Sequence, residues 1–75
     1  MKRIGTVSRV AQGLAIVRAP DDEYASVGTA VVDEELQTVG SVVDVFGPVE
    51  RPYLAVSPND DVHLPALVGK VLYAR

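Results

Sequence analysis

Short apolar runs, mostly of valine, alternate along this chain with clusters of turn residues. In "RIGTVSRV" the apolar positions are Ile4, Val7 and Val10. A spacing of three also suits a short helix. Gly5, Thr6, Val7, Ser8 and Val10 are poor helix formers, however, so the run reads as a strand over residues 2–10. Gln12-Gly13 is a turn signal, and "LAIVRA" from Leu14 to Ala19 is a second strand. Together they predict a hairpin with Gly13 at the position that needs positive φ. Pro20 and the acids after it mark an exposed loop. Thr29 to Asp33 is a third strand, "EELQ" a short polar connection, and Thr38 to Phe46 a longer fourth strand. Tyr53 to Ser57 is the fifth, and Lys70 to Arg75 the last. The segment between these two, with its breakers Pro58 and Pro65, reads as a loop. "DEELQTV" is the best helical stretch, and it is too short to stand alone.

Valine is stiff at χ1 and fits a pleated surface better than a helix. Six short strands with regular turn signals predict an all-β fold, a small barrel or a sandwich. A chain of 75 residues does not easily supply two full sheets, and closure removes open edges from a valine-rich sequence. The expected fold is therefore a single six-stranded antiparallel β-barrel over residues 1–75.

So small a domain buries roughly 60% of the surface that its unfolded chain exposes. With no cysteine there is no disulfide or thiolate metal site to reinforce it. A chain this short of staples leans on a partner. The formal net charge of −3 disfavours broad nucleic-acid binding, because phosphate repels acid. The acids are clumped at 21–23, 33–35 and 60–61, whereas Lys2, Arg3, Arg9, Lys70 and Arg75 lie toward the ends. If the termini pair, those bases form a strip; otherwise they are ordinary solubilising charge. No apolar run approaches the ~20 residues of a membrane span, and no apolar core follows Lys2-Arg3 as in a signal peptide. The expectation is a soluble, cytoplasmic protein.

Nothing here carries catalysis. The serines stand in no nucleophile motif, and His63 has only Asp60 or Asp61 to orient it. The acids are adjacent rather than spaced like calcium ligands, and the glycines form no phosphate cradle. Tyr24, Phe46, Tyr53 and Tyr73 have no interleaved bases to make a stacking platform. No enzyme, metal or cofactor is expected.

One stretch stands out: "VVDVFGPVERPY", Val42 to Tyr53. Pro48 suits the second position of a turn, so a type I turn over Gly47-Pro48-Val49-Glu50 is expected; type II would force Val49 to positive φ. Pro52 extends Arg51. Asp44 and Phe46 share one face of the strand, and a charge there means that this face is not all core. Such a rigid segment either sets the register of a hairpin or preorganises Phe46, Val49, Tyr53 and Leu54 as an apolar patch for a partner. The residue chemistry alone favours neither.

The same residues carry a resemblance. Val39 to Val56 resembles the signature of the small glycine-arginine-rich-domain family of box H/ACA ribonucleoproteins, G-x-V-x-[DE]-x-[FV]-G-P-V-x-x-P-Y. Gly40, Val42, Asp44, Phe46, Gly47, Pro48, Val49, Pro52 and Tyr53 match it in order. The preceding "VGTAVVDEELQTV" and the closing "LVGKVLYAR" are similar too. The resemblance implies a six-stranded barrel like those of translation factors. It implies a non-catalytic subunit of an RNA-guided pseudouridine synthase complex, serving rRNA processing and ribosome biogenesis. The partner would be the catalytic domain of the dyskerin-like synthase subunit, held through Asp44, Phe46, Gly47, Pro48, Val49, Pro52, Tyr53 and Leu54. Its role would be to assist substrate RNA loading and release, with guide RNA contacted indirectly. The chain has no glycine- and arginine-rich tail, which favours an archaeal-type core; Lys2, Arg3 and Arg75 remain candidate RNA-facing residues. Two alternatives stand beside this. One is the related assembly factor, which shares the barrel but usually carries long flanking segments. The other is a free-standing barrel that binds RNA directly.

Overall fold

The computed structural model describes residues 2–75. Six strands close into a barrel: β1 (Lys2–Ala11), β2 (Leu14–Arg18), β3 (Ala30–Val32), β4 (Thr38–Phe46), β5 (Tyr53–Pro58) and β6 (Val71–Ala74). Around the ring they run β1-β2-β5-β4-β3-β6, every neighbouring pair antiparallel. The all-β, six-stranded antiparallel barrel expected from the valine-rich runs is therefore found. Several strands differ at their ends. Strand β3 is shorter than residues 29–33, β6 is shorter than 70–75, β1 and β5 each run one residue further, and β2 stops at Arg18. The segment between β5 and β6 holds a single 3-10 turn, Leu64–Leu67, with Pro65 in its first positions. Proline is accepted there because an N–H at the start of a turn has no internal partner.

The β1–β2 hairpin has Ala11 opposite Leu14, so its loop is the two residues Gln12-Gly13. Gly13 has the positive φ expected of it (74°), and Gln12 adopts one as well (54°). Positive φ at both central residues is the backbone of a type I′ turn, whose twist matches that of the strands. Asp33 organises the 33–38 connection: its Oδ1 accepts from the N–H groups of Glu35 (2.8 Å) and Gln37 (3.0 Å).

Bulges explain the three-residue spacing in β1. Its register shifts between Arg3 and Gly5 against β6, and between Val7 and Arg9 against β2. Each extra residue resets the in-out alternation, so Ile4 and Val7 both face the core. Strand β4 is bulged in the same way, between Val42 and Asp44, and between its pairings with Val31 and Val32. Consequently Val39 and Val42 are buried in the core and Val45 packs against it, again three apart. The bulge also turns Val43 outward, to 44% exposure. Gly40 marks a close approach of β4 to β5: a Cβ there would collide with the carbonyl oxygen of Ser57. The core is completed by Ala15, Val17, Val31, Leu54, Val56, Leu67 and Leu72.

Candidate partner interface

Strand pairing places Arg18, Tyr53 and Phe46 side by side across β2, β5 and β4. The rings of Phe46 and Tyr53 stack with centroids 5.6 Å apart and planes 21° apart. Arg18 Nη1 donates to the Tyr53 hydroxyl (2.8 Å), and its guanidinium carbon lies 4.8 Å from the ring centroid. An aromatic pair adds roughly 0.5–1.5 kcal/mol beyond its buried area. This row is therefore held in place by contacts within the barrel.

The connection between β4 and β5 is fixed from two sides. Gly47 takes φ +91°, and a Cβ there would lie 3.0 Å from Tyr53 Cδ2, so both backbone and space call for glycine. The N–H of Arg51 donates to the Pro48 carbonyl (3.3 Å). The hydrogen-bonded turn is thus Pro48-Val49-Glu50-Arg51, one residue later than the expected 47–50. The reason is Gly47, whose positive φ swings the chain out of β4 before the turn begins. Val49 keeps negative φ, as expected of a β-branched residue. The Ala19 N–H donates to the Pro52 carbonyl (3.0 Å), and Arg51 Nε donates to the Ala19 carbonyl (3.0 Å).

The result is an apolar edge. Val49 is 83% exposed, Phe46 38% and Val43 44%. Pro48 and Asp44 are exposed, Tyr53 is half-buried and Pro52 is buried. Asp44 Oδ1 accepts from the Val45 N–H (2.8 Å). Leu54 needs a correction. It is fully buried in the barrel core, because the residue after Tyr53 points inward, and so it forms no part of the surface patch.

Three residues outside the predicted set join this surface. Tyr24, 47% exposed, lines a shallow cleft of about 210 Å³ with Phe46, Pro48, Val49 and Pro52. Nothing local in "DDEYAS" signals that placement, since it depends on how the 19–29 loop folds over the barrel end. Val43 is turned outward by the bulge. Arg18 could have been found by carrying the pairing of β2 with β5 through the ring.

Lys2, Arg3 and Arg75 lie elsewhere. The termini do pair, Lys2 opposite Ala74 and Arg3 opposite Tyr73, across the ring from β4 and β5. Lys2 Nζ sits 3.6 Å from Glu23 Oε2, in the only ion pair among the described residues. A larger open hollow of about 590 Å³ is lined partly by Asp33, Asn59, Asp61, His63 and Lys70. The His63 side chain makes no hydrogen bond among the described residues, and no group of three His, Cys, Asp or Glu there could hold a metal ion. No described helix is long and apolar enough to cross a membrane.

The sequence profile of the family described as "Gar1/Naf1 RNA binding region" matches residues 1–75. The chain belongs to this family. It is the family of the Gar1 proteins of H/ACA ribonucleoproteins, which are non-catalytic subunits, so the chain's role is related to H/ACA ribonucleoproteins. An uncharacterized protein of Methanothermobacter thermautotrophicus is 30% identical over 76 residues, which cover 97% of this chain and 82% of the relative. Gly47, Pro48 and Tyr53, matched to the Gar1 signature by sequence, are thus given structural reasons by the turn and the stack.

Proposed function

We propose that this protein is a non-catalytic subunit of a box H/ACA RNA-guided pseudouridine synthase complex. Residues 1–75 act as one barrel that docks on the catalytic domain of the dyskerin-like synthase subunit. In this reading Phe46, Val49 and the Tyr24 cleft are the grip. Gly47, Pro48, Pro52 and Tyr53 shape it, and Asp44 lies beside it. Docking there assists the loading and release of substrate RNA during rRNA pseudouridylation and ribosome biogenesis, in the cytoplasm of an archaeal-type cell.

The observation that carries this reading is the rigid apolar edge at 46–53, which falls on the residues matched to the family signature. Immobilising an edge already fixed by the Arg18–Tyr53–Phe46 row loses little entropy, as an interface core requires. The test is co-purification. The double variant Phe46→Asp/Val49→Asp should no longer be captured by the synthase subunit, while its circular dichroism spectrum stays that of a β-barrel. Both side chains lie outside the core, so the variant should lose the stack, about 0.5–1.5 kcal/mol, and keep the barrel. Capture equal to that of the parent protein would sink the assignment.

A further inference from the structure

Two apolar residues are nearly covered without belonging to the barrel core. Ile16 is 5% exposed and Ala55 3%, yet both lie outside the core cluster. Strand alternation is the reason. Their neighbours Ala15, Val17, Leu54 and Val56 point inward, so Ile16 and Ala55 point outward. Pairing sets them in a row across four strands: Arg9 on β1, Ile16 on β2, Ala55 on β5 and Asp44 on β4. The bulge after Val42 completes the row, because it brings Asp44 opposite Ala55. The four residues line one hollow of about 330 Å³, together with Leu14 and Phe46.

Arg9 and Asp44 carry opposite charges on the rims of this hollow, yet neither makes an ion pair among the described residues. Two strands stand between them, which sets their backbones about 14 Å apart, three strand spacings. The order cation, apolar, apolar, anion is self-complementary. A two-fold axis running along the strands, between Ile16 and Ala55, lays the row of one copy antiparallel on the row of another. Arg9 of each copy then faces Asp44 of the other, and Ile16 meets Ala55. A closed two-fold contact requires one patch to match itself in this way. The same operation carries Phe46, 38% exposed, over the Thr6–Arg18 pair of the other copy. A partner of one charge sign would meet a like charge at one rim.

We infer that the β1–β2–β5–β4 face is a homodimer interface. Its occupant is a second copy of this chain, held by two Arg9–Asp44 pairs around an apolar centre of Ile16 and Ala55, with Phe46 at its edge. The pairing stands on the row and the hollow alone. Its consequence for docking rests on the proposed function: Phe46 belongs to both surfaces, so a copy held in the dimer is not free to dock on the synthase.

The test is sedimentation equilibrium of the full chain from about 10 μM to about 1 mM. The mass of the parent protein should rise toward twice that of the monomer, and the dimer should weaken severalfold as salt is raised. Arg9→Asp sets carboxylates against carboxylates at both rims, and Asp44→Arg sets guanidinium groups against guanidinium groups. Each single variant should dimerise about tenfold or more weakly while its circular dichroism spectrum stays parental. Mixed in equal amounts, the two variants recover both charge pairs and should associate as tightly as the parent. Val49→Asp lies outside the hollow. It should leave the dimer within about twofold while lowering capture by the synthase subunit, so the fate of the dimer is read apart from that of the docking assignment. A parent protein that stays monomeric at every concentration would overturn the inference. Single variants that associate as the parent does would overturn it too, as would a mixture no tighter than either variant alone.

Discussion

Two sides of one barrel use the same backbone for opposite surface chemistry. On β4 and β5 the outward residues and the connection between them are aromatic or apolar, and they are fixed by a stack, a glycine and two prolines. On β6, β1 and β2 the outward residues are mixed, with Arg3, Thr6 and Arg9 of β1, Arg18 of β2 and Tyr73 of β6 among them. The first side is a rigid shape, whose value lies in excluding water from a partner of matching contour. The second is a set of exposed charges, whose influence falls with salt. Strand alternation makes the division possible: a core of valines and leucines holds both walls, while each outward position is free to differ. Arg18 sits on the boundary. Its strand pairs with β1, and its guanidinium is bonded to Tyr53 of the aromatic row.

The largest effect should come from breaking what the two sides share. Leu54 is fully buried in the core beneath both. Leu54→Ala should cost about 2–5 kcal/mol and lower Tm by more than about 8 °C. Near its melting point this variant should lose partner capture and self-association together. Thermal denaturation beside the two binding assays would show whether they fall in parallel; a fall in only one would mean that the surfaces do not share a cooperative unit. Next in size is a variant that separates them. Phe46→Ala removes half of the stack on the apolar side and should weaken capture by tenfold or more, about 1.4 kcal/mol. Arg3→Ser, on the other side, should move capture by less than about twofold. An equal loss from both variants would erase the distinction between shape and charge.

Arg18 gives the intermediate case, because two effects oppose each other. Arg18→Met loses the hydrogen bond to Tyr53 and the cation beside its ring, which together contribute about 1–2 kcal/mol. It also removes a buried Nε that has no hydrogen-bond partner, a group whose desolvation costs about 1–3 kcal/mol. The two nearly cancel, so Tm should shift by only a few degrees while partner capture weakens by severalfold. Unchanged capture would place Arg18 wholly on the other side.

The sequence made the strands and their closure readable because valine content and turn residues are local signals. The stiffness of the 46–53 edge was readable in part, since Gly47, Pro48 and Pro52 declare it wherever they occur. Bulges were not legible. Ile4, Val7 and Val10 looked ambiguous because an extra residue in a strand mimics the spacing of a helix. The bulge at Val43 hid one exposed apolar residue, and the inward turn at Leu54 removed another. The neighbourhoods of the arginines are a property of register: Arg9 lines a hollow with Asp44 and Phe46, Arg3 one with Glu23, and Arg18 is bonded to Tyr53, none of which is close in sequence. Tyr73 looked as though it lacked neighbouring bases because Arg3 is distant in sequence and opposite in space.

The smallest predicted effect concerns the two bases that open β1. Lys2 and Arg3 are adjacent, and both are basic and exposed. Lys2 is paired with Glu23 at 3.6 Å, with both side chains largely in solvent. An exposed pair of this kind contributes about 0–1 kcal/mol. Removing Lys2 frees the carboxylate of Glu23, which lines the same hollow as Arg3. Lys2→Met should therefore leave Tm within about a degree or two, and Glu23→Gln the same. Thermal denaturation of both single variants and of Lys2→Met/Glu23→Gln measures the coupling between them, expected at about 0–1 kcal/mol. A coupling well above that range would mean that the pair holds the 19–29 loop against the barrel.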